Sequence, residues 1–280
     1  MFRITLILLL IVFSFSINAQ NKIKNHEAID IAKLRCTYLF TFQRDSTNAL
    51  KIGSERMDLF IGEKCSRYKS YGRIKMDSMI QDFENRGIPM EIALADISIF
   101  PKLKYEHQVY KNFPKGSFSV FDRVHKDKFV YDEPMDCFNW IIKSDTATIL
   151  SYKCQKAITN YKGRSYEAWF TKEIPLSEGP YKFHGLPGLI VKIADTKNHY
   201  SFELLSTIVP PKGTLIYFPT YPTICTTREG LMKVKRDAKQ DIIKRLEDMG
   251  GSFSDPETRE KAKKRAMEKA RRRNNPIELL

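Results

Sequence analysis

Five histidines, His26, His107, His125, His184 and His199, and five cysteines, Cys36, Cys65, Cys137, Cys154 and Cys225, are the side chains of this chain best suited to metal binding or nucleophilic catalysis. Their spacing supports neither locally. There is no His-Glu-x-x-His pair and no Cys-x-x-Cys pair, so a zinc site has no local set of ligands. No Gly-x-Ser-x-Gly elbow and no phosphate-binding loop is present. The string from Gly185 to Lys192 has the wrong glycine spacing for such a loop, and Pro187 removes a donor it would need. A Cys154 thiol assisted by His184 is the one nucleophilic pairing to draw, in a hydrolase whose site assembles only in the fold. No metal, no cofactor and no catalytic residue is expected from spacing alone.

The first nineteen residues read as an export signal. Arg3 gives a positive start, Ile4 to Phe15 an apolar stretch, and Ser16-Ile17-Asn18-Ala19 a small-residue cleavage site, so the mature chain is expected to begin at Gln20. The apolar stretch is shorter than the roughly 18 residues a bilayer span needs, and no later segment reaches that length. A periplasmic or otherwise exported location makes disulfides permissible. Phe138–Lys143 and Ala147–Lys153 read as a hairpin turning at Asp145-Thr146, which sets Cys137 opposite Cys154. Paired positions of that kind lie about 4.5 Å apart, within disulfide reach, so a Cys137–Cys154 bridge is expected.

One stretch of the sequence is distinctive. Tyr152 to Ala157, Gly163 to Phe170, Ile174-Pro175 and Gly179 to Ile190 follow one another in a pattern that resembles the GLPGLI family, exported proteins of Bacteroidota named for the string at residues 185–190. Asn275-Pro276-Ile277-Glu278 is similar to the ending of many members. The resemblance implies an envelope protein that accompanies an outer-membrane transport system; it implies no established activity. In physical terms, Pro187 and Gly188 sit where a type II turn wants them, and Gly185 adds a further break. Residues 177–188 are therefore expected to form a rigid structural loop, with Gly185, Pro187 and Gly188 shaping it. Trp169, Tyr181, Phe183 and His184 would line a ligand groove beside the loop, with Arg164 available for an anion. The competing reading makes the same residues a folding signature.

The elements that must position these residues are mostly strands. Cys36–Phe42, Arg56–Ile61, Ser66–Tyr71, Tyr105–Tyr110, Ser117–Arg123, Lys128–Tyr131, Arg164–Thr171, Leu189–Ala194 and Tyr200–Ile208 are rich in β-branched and aromatic residues. A short helix is expected over Met76–Glu84, ending at Gly87. The expected fold is β-rich (α+β), a curved and mainly antiparallel sheet over residues 20–225. A C-terminal helix follows over 226–251, capped by Thr226 and Glu229 and apolar at Leu231, Val234, Ala238, Ile242, Leu246 and Met249. A basic helical extension then occupies 252–280, starting at Asp255-Pro256.

The extension carries much of the chain's charge. The formal net charge is +14, and Arg259–Arg273 holds nine bases against Glu260 and Glu268. This stretch has no aromatic residue for base stacking, so nucleic acid is not expected as a partner. An anionic surface or an acidic partner remains as the electrostatic reading. The leading expectation is thus a non-enzymatic exported envelope protein that binds a ligand or protein partner beside an outer-membrane transporter. An exported hydrolase and a purely structural envelope module are the alternatives.

Overall fold

The computed structural model describes residues 26–240 and 255–279. The expected export signal at 1–19 and the last part of the expected C-terminal helix, with Ile242, Leu246 and Met249, lie outside the described residues.

In chain order the strands are β1 (His26–Ile31), β2 (Leu34–Phe42), β3 (Gly53–Ile61), β4 (Ser66–Ser70), β5 (Gln108–Lys111), β6 (Ser117–Val124), β7 (Asp127–Pro134), β8 (Ile141–Ile149), β9 (Tyr152–Tyr161), β10 (Arg164–Thr171), β11 (Leu189–Asp195), β12 (Tyr200–Ile208), β13 (Leu215–Pro219) and β14 (Ile224–Cys225). The helices are α1 (Tyr71–Asn85), α2 (Met90–Ala93), α3 (Arg228–Gln240) and α4 (Pro256–Arg271), with a 3-10 turn at Ile97–Ile99. Twelve strands form one sheet in the order β14-β7-β6-β5-β4-β3-β2-β12-β11-β10-β9-β8, while β1 and β13 pair separately. Among the described strands, only β14 runs parallel to its neighbour. The fold is the expected one, β-rich with C-terminal helices, and the large sheet does not close into a barrel.

Period-two alternation builds the main core. Cys36, Tyr38, Phe40 and Phe42 of β2 point to the same face as Tyr166, Ala168 and Phe170 of β10 and Tyr200, Phe202 and Leu204 of β12, and all are buried. Phe40 and Phe202 stack with centroids 4.5 Å apart. The loop residues Tyr181, Phe183 and Leu186, Leu231 of α3 and Ile277 of the C-terminal segment complete this core. The opposite face holds a smaller cluster of Ala32, Phe60, Cys65, Tyr110, Phe121 and Ile216, covered by β1 and β13. Met57 to Ile61 of β3 are buried without interruption because both faces of that strand are covered.

Several local expectations shift. The hairpin after Trp140 turns at Leu150-Ser151 and not at Asp145-Thr146, so Ala147 faces Cys154 and a bulge separates Ile142 from Thr146. Cys137 precedes β8 altogether, and Cys137 and Cys154 are both free thiols. The expected disulfide is therefore not formed, and its cause was the register. The first helix starts at Tyr71, earlier than expected, because the Ser70 side chain accepts from Arg73 N. It ends as expected, with Gly87 at φ +67° and Ile88 N donating to Phe83 O. The cap of α3 lies one residue later than expected: Gly230 N donates to Thr227 Oγ1, 3.0 Å. At α4, Asp255 is the cap and accepts from Thr258 N, with Pro256 in the first turn.

Candidate functional site

The motif loop is a clamp, held from several sides. Lys111, fully buried on β5, donates from Nζ to Gly179 O at 2.5 Å and to Phe183 O at 3.3 Å, and pairs with Glu178 at 2.6 Å. Trp140 Nε1 donates to His184 O at 2.8 Å, and Tyr38 Oη donates to Ile190 O at 2.8 Å. The type II turn is not formed. Gly188 N donates to Leu186 O, closing a three-residue turn on Pro187, while Leu189 N donates to Ile174 O. Gly188 has φ +154°, and a Cβ there would stand 2.0 Å from Thr171 O, so the loop passes too close to β10 for any side chain. Gly185, at φ +94°, supplies the other backbone conformation that L residues avoid.

These bonds alter the expected groove. Arg164 is buried and engaged through four of its five N–H groups: Nε donates to Ile277 O (2.9 Å), Nη1 to Asp195 Oδ2 (3.0 Å), and Nη2 to Asn275 Oδ1 and Pro276 O (both 2.6 Å). It is not available for an external anion, because the chain's own C-terminal segment occupies it. Phe183 is wholly buried against Tyr166, with ring centroids 4.7 Å apart. Tyr181 is also buried and donates to Glu278 Oε1 at 2.6 Å. Trp169 is half-buried on the far side of β10, with the Lys156 ammonium 5.9 Å above its ring. Tyr181 and Phe183 thus meet in the core, and Trp169 and Arg164 do not join them in one groove.

The Cys154–His184 pairing is not assembled either. Cys154 Sγ lies 3.5 Å from Tyr152 O, and burial pushes its pKa up. His184 Nδ1 faces Lys182 O at 2.9 Å, and burial, then Lys111, lower its pKa. No hydrogen bond links the two side chains among the described residues.

What the motif loop holds is the end of the chain. Glu278 is buried with its carboxylate ringed by donors: Lys182 Nζ at 2.7 Å, Tyr181 Oη at 2.6 Å and Arg228 Nε at 2.6 Å. Lys182 is itself wholly buried and also pairs with Glu133. Burial alone would raise the Glu278 pKa, but Lys182, Tyr181 and Arg228 overcome it and hold the carboxyl down at about 2. Tyr200 Oη donates to Asn275 O, and Asn275 Nδ2 donates to Gln43 O at 2.6 Å. The segment 275–278 is therefore an internal part of the sheet's core.

This anchoring has a consequence for the basic helix. Just before the anchored segment, Asn274 bonds Ser46 N (2.9 Å) and Ser46 Oγ (2.8 Å), tying the end of α4 to the β2–β3 loop. Between helix and loop opens a cleft of about 570 Å3, lined by Phe42, Ile52 and Gly53 and by six cations. Arg44, Lys51 and Lys104 come from the sheet side; Arg265, Arg272 and Arg273 come from the helix. Asp45 and Glu268 are the acidic residues in this lining, and Asp45 is engaged by Thr47 and Asn274. Arg265, Glu268 and Arg272 share one helical face by their spacing. The Arg44 guanidinium lies 4.5 Å from the Phe42 ring and donates to Lys104 O, so stacking fixes its plane. Burial and then the nearby Arg273 both lower the Arg44 pKa, the electrostatic mark of like charges held together. Such a cleft is chemically suited to an anion that takes bidentate guanidinium bonds, a phosphate or a carboxylate.

Half of this cleft was legible as a basic stretch of sequence. Arg44, Lys51, Ile52 and Lys104 carried no signal, because they join the helix only after the C-terminal segment folds back. No group of three metal-ligating side chains is found among the described residues.

Comparison with known proteins adds little to this geometry. A family model described as a protein of unknown function (Porph_ging) matches residues 158–192, which include β10 and the motif loop. Among solved structures, two crystal forms of PNGF-II resemble the chain with TM-score 0.46 and 14% identity, over 74% of this chain. The chain spans about a third of the length of those proteins, 33% and 34%. A likeness at that level supports no argument about fold or activity. No curated protein matches.

Proposed function

We propose that the protein is an exported GLPGLI-type envelope protein that acts by binding, and that the basic cleft receives an anionic group of its ligand or partner. One observation carries the reading: six cations from two distant parts of the sequence line one cleft against two carboxylates. Holding like charges together costs free energy unless an anion offsets it. The apolar leader and the residues matching the GLPGLI pattern support an envelope location, beside an outer-membrane transport system. No helix of the described residues is long and apolar enough to cross a membrane.

The test is calorimetric titration of the purified chain with inorganic pyrophosphate at low salt. Binding is expected, with loss of about tenfold or more in affinity for the Arg265→Glu/Arg272→Glu variant and for the native chain at high salt. Both substituted side chains are exposed, so the fold is expected to survive. Absence of binding, or binding indifferent to the double reversal, would remove the cleft as the site.

A further inference from the structure

We propose that the anion is the phosphate of a membrane lipid headgroup and that the β2–β3 loop enters the membrane interface beside it; this rests on the anion-binding reading of the cleft. The loop over residues 43–52 ends in Leu50-Lys51-Ile52, and its two apolar residues are open to water, Leu50 at 96% and Ile52 at 61% exposure. Lys51 and Ile52 both line the cleft, so the apolar tip and the basic site are one continuous feature. A small soluble anion would need the cations and have no use for an aliphatic rim. A lipid needs both: charge at the phosphate level, and branched side chains that reach the acyl boundary.

The remaining geometry agrees with a surface rather than a closed pocket. Ile52 gives the cleft an apolar edge that suits the glycerol and upper acyl region of a lipid. Beyond the cleft, α4 continues the positive field with exposed Lys264 and Arg271, which a single small ligand would not contact. The helix itself offers one exposed large apolar residue, Met267, and no leucine or aromatic residue that would let it enter the interface alone. Leu50 and Ile52 supply such side chains from the sheet side, and this explains why the helix is fastened to that loop through Asn274 and Ser46.

The proposal is tested by flotation of the purified chain with vesicles of phosphatidylcholine alone and of phosphatidylcholine with phosphatidylglycerol. Titration with inorganic pyrophosphate serves as the soluble arm. The expected result is flotation only with the anionic vesicles, reduced about tenfold by Leu50→Ser. Leu50 is not among the residues that line the cleft and the variant keeps all six cations, so it should still bind pyrophosphate, and this retained binding confirms that the fold and the cleft are intact. Pyrophosphate binding without vesicle flotation would overturn the lipid assignment and leave the cleft as a site for soluble anions. Flotation unaffected by the Leu50 substitution would also overturn it. Failure of both arms would remove the cleft reading itself.

Discussion

At the scale of single residues, Glu278 carries the most consequence. Its carboxyl pKa is depressed to about 2 in the folded chain, so its contribution to stability is complete above its ordinary value near 4.5 and fades as pH falls toward 2. The Glu278→Gln variant is expected to lose about 3–5 kcal/mol at neutral pH, because Lys182 and Arg228 lose a buried partner. Its stability should also be flatter than that of the native chain between pH 5 and pH 2, as measured by urea unfolding across that range. Gly188→Ala is expected to be severe for a different reason. A methyl group placed 2.0 Å from Thr171 O cannot be accommodated without moving β10 or the loop, and a loss of about 2–4 kcal/mol should be seen in the same unfolding assay. The sequence marks both residues within distinctive strings, yet it gives the wrong reason for Gly188 and none for Glu278. A turn preference is local and can be read from Pro-Gly; a close approach to a strand seventeen residues away cannot. Arg164 is the same lesson in reverse, a lone arginine beside aromatics that the chain's own carbonyls occupy.

At the scale of elements, most strands were legible because one buried face writes itself into the sequence with period two, as in Cys36, Tyr38, Phe40 and Phe42. Arg164–Thr171 and Tyr200–Ile208 coincide with β10 and β12 for that reason. The β8–β9 hairpin was misread because its true turn begins with Leu150 at φ +55°, a conformation leucine adopts at a cost, while the polar Asp145-Thr146 imitates a turn inside β8. That shift removed the disulfide. Mass spectrometry of the unfolded, unreduced chain should accordingly find Cys137 and Cys154 both open to alkylation; a mass two hydrogens short with these two linked would restore the bridge. The short β1, β13 and β14 were missed since their neighbours lie far away in sequence. The anchoring of α4 also belongs to this scale. Asn275→Ala removes bonds to Arg164 and Gln43 without touching the cleft, so it should cost about 1–3 kcal/mol of stability. It should also weaken pyrophosphate binding several-fold by loosening the helix that forms one wall. Unchanged affinity would separate the anchor from the site.

At the scale of the whole molecule, a net charge of +14 is divided between a sheet domain and a helix that sequence alone presents as an appendage. The fold reverses that picture. Residues 275–278 close the core, and the helix ahead of them becomes a wall of a basic cleft. The motif loop then holds residues 275–278, and the cleft proposed to bind an anion is built by other residues, on α4 and the β2–β3 loop. Hydrogen exchange with and without inorganic pyrophosphate separates these two locations most directly. Protection is expected in the amides of 44–53 and 265–273, with residues 177–188 unchanged because their hydrogen bonds are already made. Protection confined to 177–188, with none at 44–53 or 265–273, would contradict the account.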